Sequence, residues 1–394
     1  LRLGPLDGLR GIAIALVLWF HVWQVTWLRA DLPFSGGSIN FNVIPESGFL
    51  GVDLFCFLSG FCLFMPYADA RARNVAPPSL ADFAYRRAIK IVPSYLLAIF
   101  AMSALGLAHF ASGGEAFREL VRHLLFIHPW FPESYGAING VLWSIGVGVQ
   151  FYVLFPAIAW CALRWPLSTF AAMAFVANFY RYGVRNLFES AHLMDQLPGT
   201  IDLFAAGMLA AYGHRMLAAR APRIAERRTF WTLVSVAGFA LCAVVLRGAF
   251  DVRVEPDWPY IWVVSGRPLL TLALPLATVG ALFAWPEWQR TLSNPPLVFL
   301  SLISYNLYLW HAAVTHALLE AHIPGWRGAD PHGDPVWALE FTFVAFAASI
   351  VVATILTYVL ERPLLRARPF APTTAKLRPP SLAEPFEGPV ALER

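Results

Sequence analysis

Arg10 and His21 stand eleven positions apart in the first apolar stretch of the chain. At about 3.6 residues per turn that spacing is close to three turns, so an α-helix carries both on one face, roughly 16 Å apart along its axis. An ionisable side chain inside a membrane-spanning helix is expensive, which makes it a functional hypothesis by default. On this reading Arg10 sits at the cytoplasmic edge, where a guanidinium can meet a phosphate. His21 sits past mid-membrane, where an imidazole can act as a base or accept an acyl group. A snorkelling Arg with a hydrogen-bonded packing His is the alternative.

Arg86, Arg87 and Lys90 enter the third apolar stretch from its polar side. Spacings of three or four gather them near one side of a helix. They form either a site for a nucleotide phosphate or a topology signal. Asp53 lies early in the second stretch and His311 in the outer half of the ninth. Asp53 can pair with a neighbouring helix, and an aromatic-flanked His can be interfacial. Glu361-Arg362-Pro363 closes the tenth stretch, where a neutralised helix end before a Pro stop is the plain reading. His109, His123, His128, His192, His316, His322 and His332 fall in or near outer loops without HExxH or other metal-ligand spacing, so no metal site is expected. Cys56, Cys62, Cys161 and Cys242 lie in apolar runs with no CxxC pair, as inert small hydrophobes do.

The elements that must position these groups are membrane helices. The 394 residues are 58% hydrophobic and only 14% charged, with a mean hydropathy of +0.57, too little charge to cover a soluble domain. Ten stretches approach or exceed the about 20 residues a bilayer requires: roughly 9–29, 48–68, 91–111, 140–162, 165–181, 199–218, 229–248, 266–285, 294–319 and 335–361. The expected fold class is therefore all-α, a polytopic integral membrane bundle of about ten transmembrane helices. The stretch 124–131 is broken by His128 and Pro129 and reads as interfacial.

Lys and Arg set the direction. Arg71, Arg73, Arg86, Arg87 and Lys90 cluster around the second loop, and Arg215, Arg220, Arg223, Arg227 and Arg228 around the sixth. The tail adds Arg366, Arg368, Lys376 and Arg378. The positive-inside rule then puts both termini in the cytoplasm. Residues 369–394, rich in Pro, Ala and Glu, read as a disordered cytoplasmic tail beyond a 1–368 membrane domain. The chain starts at Leu1 without a Met, and its first apolar run is too long for a cleavable signal. The chemistry is expected inside the bundle, with the lipid bilayer as its solvent and no nucleic acid as partner.

In register along residues 5–365, the motifs resemble the acyltransferase-3 family of integral membrane acyltransferases, in its O-acetyltransferase-like form without a fused SGNH domain. Leu6-Asp7-Gly8-Leu9-Arg10-Gly11 followed by Phe20-His21 is similar to the opening Arg, ten residues, His signature. Gly51-Val52-Asp53-Leu54-Phe55 through Ser59-Gly60-Phe61 resembles the second-helix motif, and Arg86-Arg87 with Lys90 the basic Arg-x-x-Arg block. Phe204 to Met208, Ser304-Tyr305 to His311, and Glu361-Arg362-Pro363 follow in order. The resemblance implies a cytoplasmic acyl-CoA donor, most often acetyl-CoA, as co-substrate with no bound cofactor. It also implies an acceptor hydroxyl on a glycan or small molecule presented from outside, and a bacterial inner membrane. His21 then acts with Arg10 in catalysis, as general base or acyl carrier, and Arg86, Arg87 and Lys90 hold the CoA phosphates.

Trp143-Ser144-Ile145-Gly146-Val147-Gly148-Val149-Gln150-Phe151-Tyr152 resembles the family's Trp-Ser-x-x-Val-Glu-x-Gln-Phe-Tyr block, with the family's Glu falling at Gly148. Trp143, Ser144, Gln150, Tyr152 and Tyr305 are supporting candidates beside Asp53, His311, Glu361 and Arg362. Helix rise puts position 148 at a depth similar to that of His21, so the absent carboxylate is expected to have oriented or charge-balanced the imidazole. Gly146 and Gly148 can instead permit close helix contact. Two other functions compete: a transporter or flippase of a lipid-linked or anionic substrate, for which inverted repeats are not evident, and an impaired relative lacking the Glu.

Overall fold

The computed structural model describes residues 3–34, 37–108, 110–187, 191–326 and 330–367. Within them the chain builds ten long helices: α1 Gly4–Thr26, α2 Leu50–Arg73, α3 Leu80–Ala104, α4 Leu142–Arg164 and α5 Pro166–Leu187. α6 Leu197–Arg220, α7 Arg228–Val252, α8 Trp258–Phe283, α9 Pro295–Glu320 and α10 Pro335–Ala367 complete the set. Eight are long and apolar enough to cross a bilayer. The other two, α5 and α6, are as long but more polar, because they carry Arg181, Asp202, His214 and Arg215. The molecule is an all-α polytopic membrane bundle, as composition implies. The tail expected at 369–394 lies outside the described residues.

The helix ends follow local chemistry. α3 begins well before the stretch 91–111 that hydropathy marks, because the Ser79 hydroxyl caps it by accepting from the Asp82 N–H at 3.1 Å. Its first turns are polar and still helical, which apolar length alone cannot register. Asn294 caps α9 in the same way, accepting from the Leu297 N–H at 3.0 Å, with Pro295 at the first helical position. α1 stops where Trp27 turns left-handed at φ 50°. Beyond it, β1 Asp31–Phe34 pairs antiparallel with β2 Gly37–Asn40, Asp31 opposite Asn40, a hairpin that the hydropathy reading leaves as loop. The stretch expected to be interfacial ends in a 3₁₀ turn, His128–Trp130, with His128 and Pro129 buried.

Succession in an antiparallel bundle puts the starts of odd-numbered helices and the ends of even-numbered ones together. That end carries Arg71, Arg73, Arg86, Arg87, Arg215, Arg220 and Arg228, and is called the basic end below. α1 lies against α2 and α9, α2 against α6, α7 against α8, and α9 against α10.

Glycine makes the α2–α6 crossing close. A Cβ at Gly207 would stand 1.9 Å from the Phe57 carbonyl oxygen, and one at Gly60 would stand 2.1 Å from that of Phe204. Backbones touch here, which in lipid replaces the hydrophobic drive that soluble helices use. Gly207→Val is therefore expected to lower stability by at least about 1–3 kcal/mol. The check is the melting temperature and monodispersity of the purified variant, and an unchanged melting temperature would contradict the close crossing.

Candidate active site

A cavity of about 470 Å³ opens at the basic end, between α1, α2, α3, α4 and α9. Its walls carry Arg10, Arg86, Arg87, Lys90, Tyr152 and Tyr305, with Ser144 and Tyr308 farthest from the basic end. Four of the sequence-predicted cations thus meet in one place, although they come from two helices.

Their roles there differ. Arg86 turns to Asp82 at 2.7 Å and its side chain is 59% exposed. Lys90 forms an ion pair with Glu361, which is buried and also accepts from the Asn306 amide at 2.9 Å. The Lys90 ammonium lies 5.5 Å from the Tyr305 ring centre. Glu361 is thus the buried counter-charge of Lys90, where the plain reading made it part of a neutralised helix end. A π-helical turn over Thr357–Glu361 aims it inward, a common device at functional sites. Arg362 instead packs over the Tyr358 ring at 4.6 Å. Arg87 is the cation left available, since its Nε is buried with no hydrogen-bond partner. Arg10 is nearly so, held by Asp7 at 3.6 Å and by the Cys62 sulfur at 3.5 Å. Two guanidiniums facing a cavity form an anion site of the kind that phosphates occupy.

A hydroxyl pair lines the cavity: Ser144 Oγ lies 2.6 Å from Tyr308 Oη, and both reach the Val141 carbonyl at 3.2 Å. One helical turn beyond Tyr308 stands His311, completely buried. Its ring meets that of His21 edge to face, the centres 4.8 Å apart. His21 donates from Nδ1 to the Val17 carbonyl at 2.9 Å, which leaves Nε2 as the nitrogen with a free lone pair in the neutral ring. Half-buried His21 is not among the residues lining the cavity. The arrangement is a basic cavity, a hydroxyl pair at its far end, and two imidazoles beyond.

Position 148 belongs to the cavity, with Arg10 and Arg87, and not to the imidazoles. Depth along the helix axis does not fix direction around it, and α4 turns this face to the cations. The expectation of close packing holds for one glycine of the two. A Cβ at Gly146 would stand 2.5 Å from Pro129 Cγ, whereas at Gly148 the nearest atom is Tyr152 Oη at 3.7 Å. Gly148→Glu is thus expected to fold with an unchanged melting temperature, because the carboxylate enters open space beside two guanidiniums. Thermal unfolding of the variant tests this, and a large fall in stability would contradict it.

The remaining candidates stand apart. Gln150 ties α4 to the loop before it, donating to the Phe126 carbonyl at 3.0 Å and accepting from Trp130 Nε1 at 3.2 Å. Trp143 stacks on Tyr135, ring centres 5.8 Å apart. Asp53 pairs with Arg267 at 3.2 Å, and Arg267 also reaches Asp195 at 2.8 Å. Nearby, fully buried Arg181 pairs with Asp202 and donates to the carbonyls of Gly199 at 2.9 Å and Val263 at 3.1 Å. Arg181, Asp202 and Arg267 answer to the same intramembrane-charge argument that marks Arg10, and sequence motifs alone do not single them out. They tie α2, α5, α6 and α8 together near the end opposite the cavity mouth.

The family model described as an acyltransferase domain, that of the acyltransferase-3 family, matches residues 4–362. Nodulation protein 10 of Rhizobium leguminosarum bv. viciae is 23% identical over 395 residues, covering 92% of this chain and 93% of that protein. O-acetyltransferase OatA of Staphylococcus aureus (strain NCTC 8325 / PS 47) is 22% identical over 325 residues, 78% of this chain and 49% of that protein. The chain thus spans nearly all of the first relative and corresponds to about half of the second. No solved structure matches the chain.

Proposed function

The chain belongs to the acyltransferase-3 family of membrane acyltransferases, and from that premise we propose that it moves an acyl group, acetyl in the first instance, from cytoplasmic acyl-CoA to a hydroxyl of a carbohydrate or small molecule. One observation carries the reading: a cavity with two available guanidiniums, Arg10 and Arg87, ends at Ser144 and Tyr308, with the imidazoles of His21 and His311 just beyond. A nucleotide-bearing thioester matches that gradient from cationic to weakly polar. Its phosphates meet Arg87 and Arg10 at the basic end, and its thioester reaches toward the hydroxyl pair.

The basic end faces the cytoplasm in this reading, which agrees with the positive-inside rule and with where acyl-CoA is made. The acceptor arrives from the opposite side. His21, with a free Nε2, takes the acceptor's proton as general base, and the oxygen attacks the thioester carbonyl. Direct transfer needs one such base. A covalent acyl-imidazole at His21 would do the same work in two steps, and a burst of thiol release without acceptor would reveal it. The acetyl group and the oxygen acceptor draw support from the O-acetyltransferase name that OatA carries.

The test is release of free CoA thiol by the purified protein from acetyl-CoA in the presence of sugar acceptors, with mass detection of the acetylated product. Acetylated acceptor in proportion to thiol released is the expected result. Movement of a substrate across vesicles without thioester consumption would replace the proposal with transport.

A further inference from the structure

His311 has no task in the reaction as outlined, yet the structure equips it for one. Its Nδ1 faces the carbonyl oxygens of Leu307 and Tyr308, each at 3.0 Å. Carbonyls only accept, so Nδ1 carries the hydrogen and Nε2 holds the lone pair. That Nε2 is completely buried and has no hydrogen-bond partner. Buried acceptors are nearly always satisfied, so an orphan beside a half-buried imidazole calls for a reason. His21 is held in the same way, Nδ1 on a backbone carbonyl and Nε2 free. Among the described residues no carboxylate hydrogen-bonds either ring, so the positive charge that forms on His21 has no acidic partner of the kind a Ser-His-Asp triad provides.

We propose that His21 and His311 work as a pair that carries the acceptor's proton inward to the leaving thiolate. The proposal rests on the acyl-transfer reading above. The acceptor O–H bond breaks and its proton goes to His21 Nε2, while the oxygen's electron pair forms the new C–O bond at the thioester carbonyl. A shift of the two rings, whose centres stand 4.8 Å apart, brings their free Nε2 atoms into hydrogen-bond contact, and the proton passes from His21 Nε2 to His311 Nε2. As the tetrahedral intermediate collapses, the C–S bond breaks, the thiolate takes the electron pair, and His311 supplies the proton that makes the thiol. Both rings end neutral, and no oxidant or further reactant enters. The position of His311 suits this: it lies between half-buried His21 and Tyr308, which lines the far end of the donor cavity.

A thiolate that is a good leaving group needs no proton, and this separates a proton donor from a packing residue. The experiment compares wild type, His311→Gln and His311→Asn with two small acetyl donors, S-acetyl-N-acetylcysteamine (an alkyl thioester) and S-acetyl-4-nitrothiophenol (an acidic aryl thioester). Octyl glucoside serves as acceptor. Both variants are expected to lose about 10²-fold or more in kcat/KM with the alkyl donor, as loss of a general acid does, and to stay within about threefold of wild type with the aryl donor. Rates that fall equally with both donors, through misfolding included, or that fall with neither, would overturn the pair. Wild-type protein that acetylates nothing from either donor would instead overturn the acyl-transfer reading, and the pair with it.

Discussion

His21→Ala is expected to lower kcat for acyl transfer by roughly 10²–10⁴-fold, the range that general-base catalysis supplies, while KM for acetyl-CoA stays within a factor of about two. The split follows from geometry: the imidazole stands beyond the hydroxyl pair and is not among the residues lining the donor cavity. Removing it takes away the base and leaves the phosphate site whole. Truncation also leaves a void beside His311 and Phe20, whose rings contact His21 at 4.8 and 5.2 Å. The measurement therefore includes the melting temperature, and His21→Asn as a less disruptive replacement. Acyl transfer that survives both substitutions unchanged would remove His21 from the mechanism.

The second large effect belongs to Arg87. A hydrogen bond to a charged group contributes about 1.5–3 kcal/mol, so Arg87→Gln is expected to raise KM for acetyl-CoA roughly 10- to 150-fold with little change in kcat. Arg86→Gln is the control: this guanidinium is largely exposed and already paired with Asp82, and surface pairs contribute about 0–1 kcal/mol. A shift of at most about fivefold is expected there. Lys90→Met should behave differently from both, since it strips buried Glu361 of its counter-charge. Its signature is lower thermal stability. Donor titrations of the three variants distinguish these outcomes, and equal KM shifts for Arg86 and Arg87 would contradict the assignment.

Much of the fold follows from chain chemistry alone. Ten long helices follow from apolar length, and the shared basic end of the bundle from the placement of Lys and Arg. What apolar length misses is polar helix: α3 starts at Leu80, because a Ser79 cap and amphipathic first turns are helical without being hydrophobic. α5 and α6 show the converse, long helices whose hydropathy is lowered by buried charge. The candidate site was legible as residue types, since Arg10, His21 and His311 answer to the rule that ionisable groups in a membrane are functional, and Arg87 to the clustering of cations that binds phosphate.

Their partners were not legible. Lys90 meets Glu361, and Asp53 meets Arg267, across helices far apart in sequence. The π-helical turns over Thr357–Glu361 and Trp262–Gly266 rotate or precede Glu361 and Arg267 in ways no 3.6-residue period anticipates. Gly148 makes the same point. Its depth was computable from helix rise, but its facing direction was set by how α4 packs, with Gly146 against Pro129.

In the proposed reaction the donor enters from the basic end and the acceptor from the other, and they meet at His21. Unilamellar vesicles holding the protein in one orientation test it most directly, with acetyl-CoA confined to one side and a membrane-impermeant glycan acceptor to the other. Acetylated acceptor is predicted only when acetyl-CoA is on the side of the basic end, with CoA thiol released on that same side. Product formed equally well with acetyl-CoA confined to the opposite side would contradict the account.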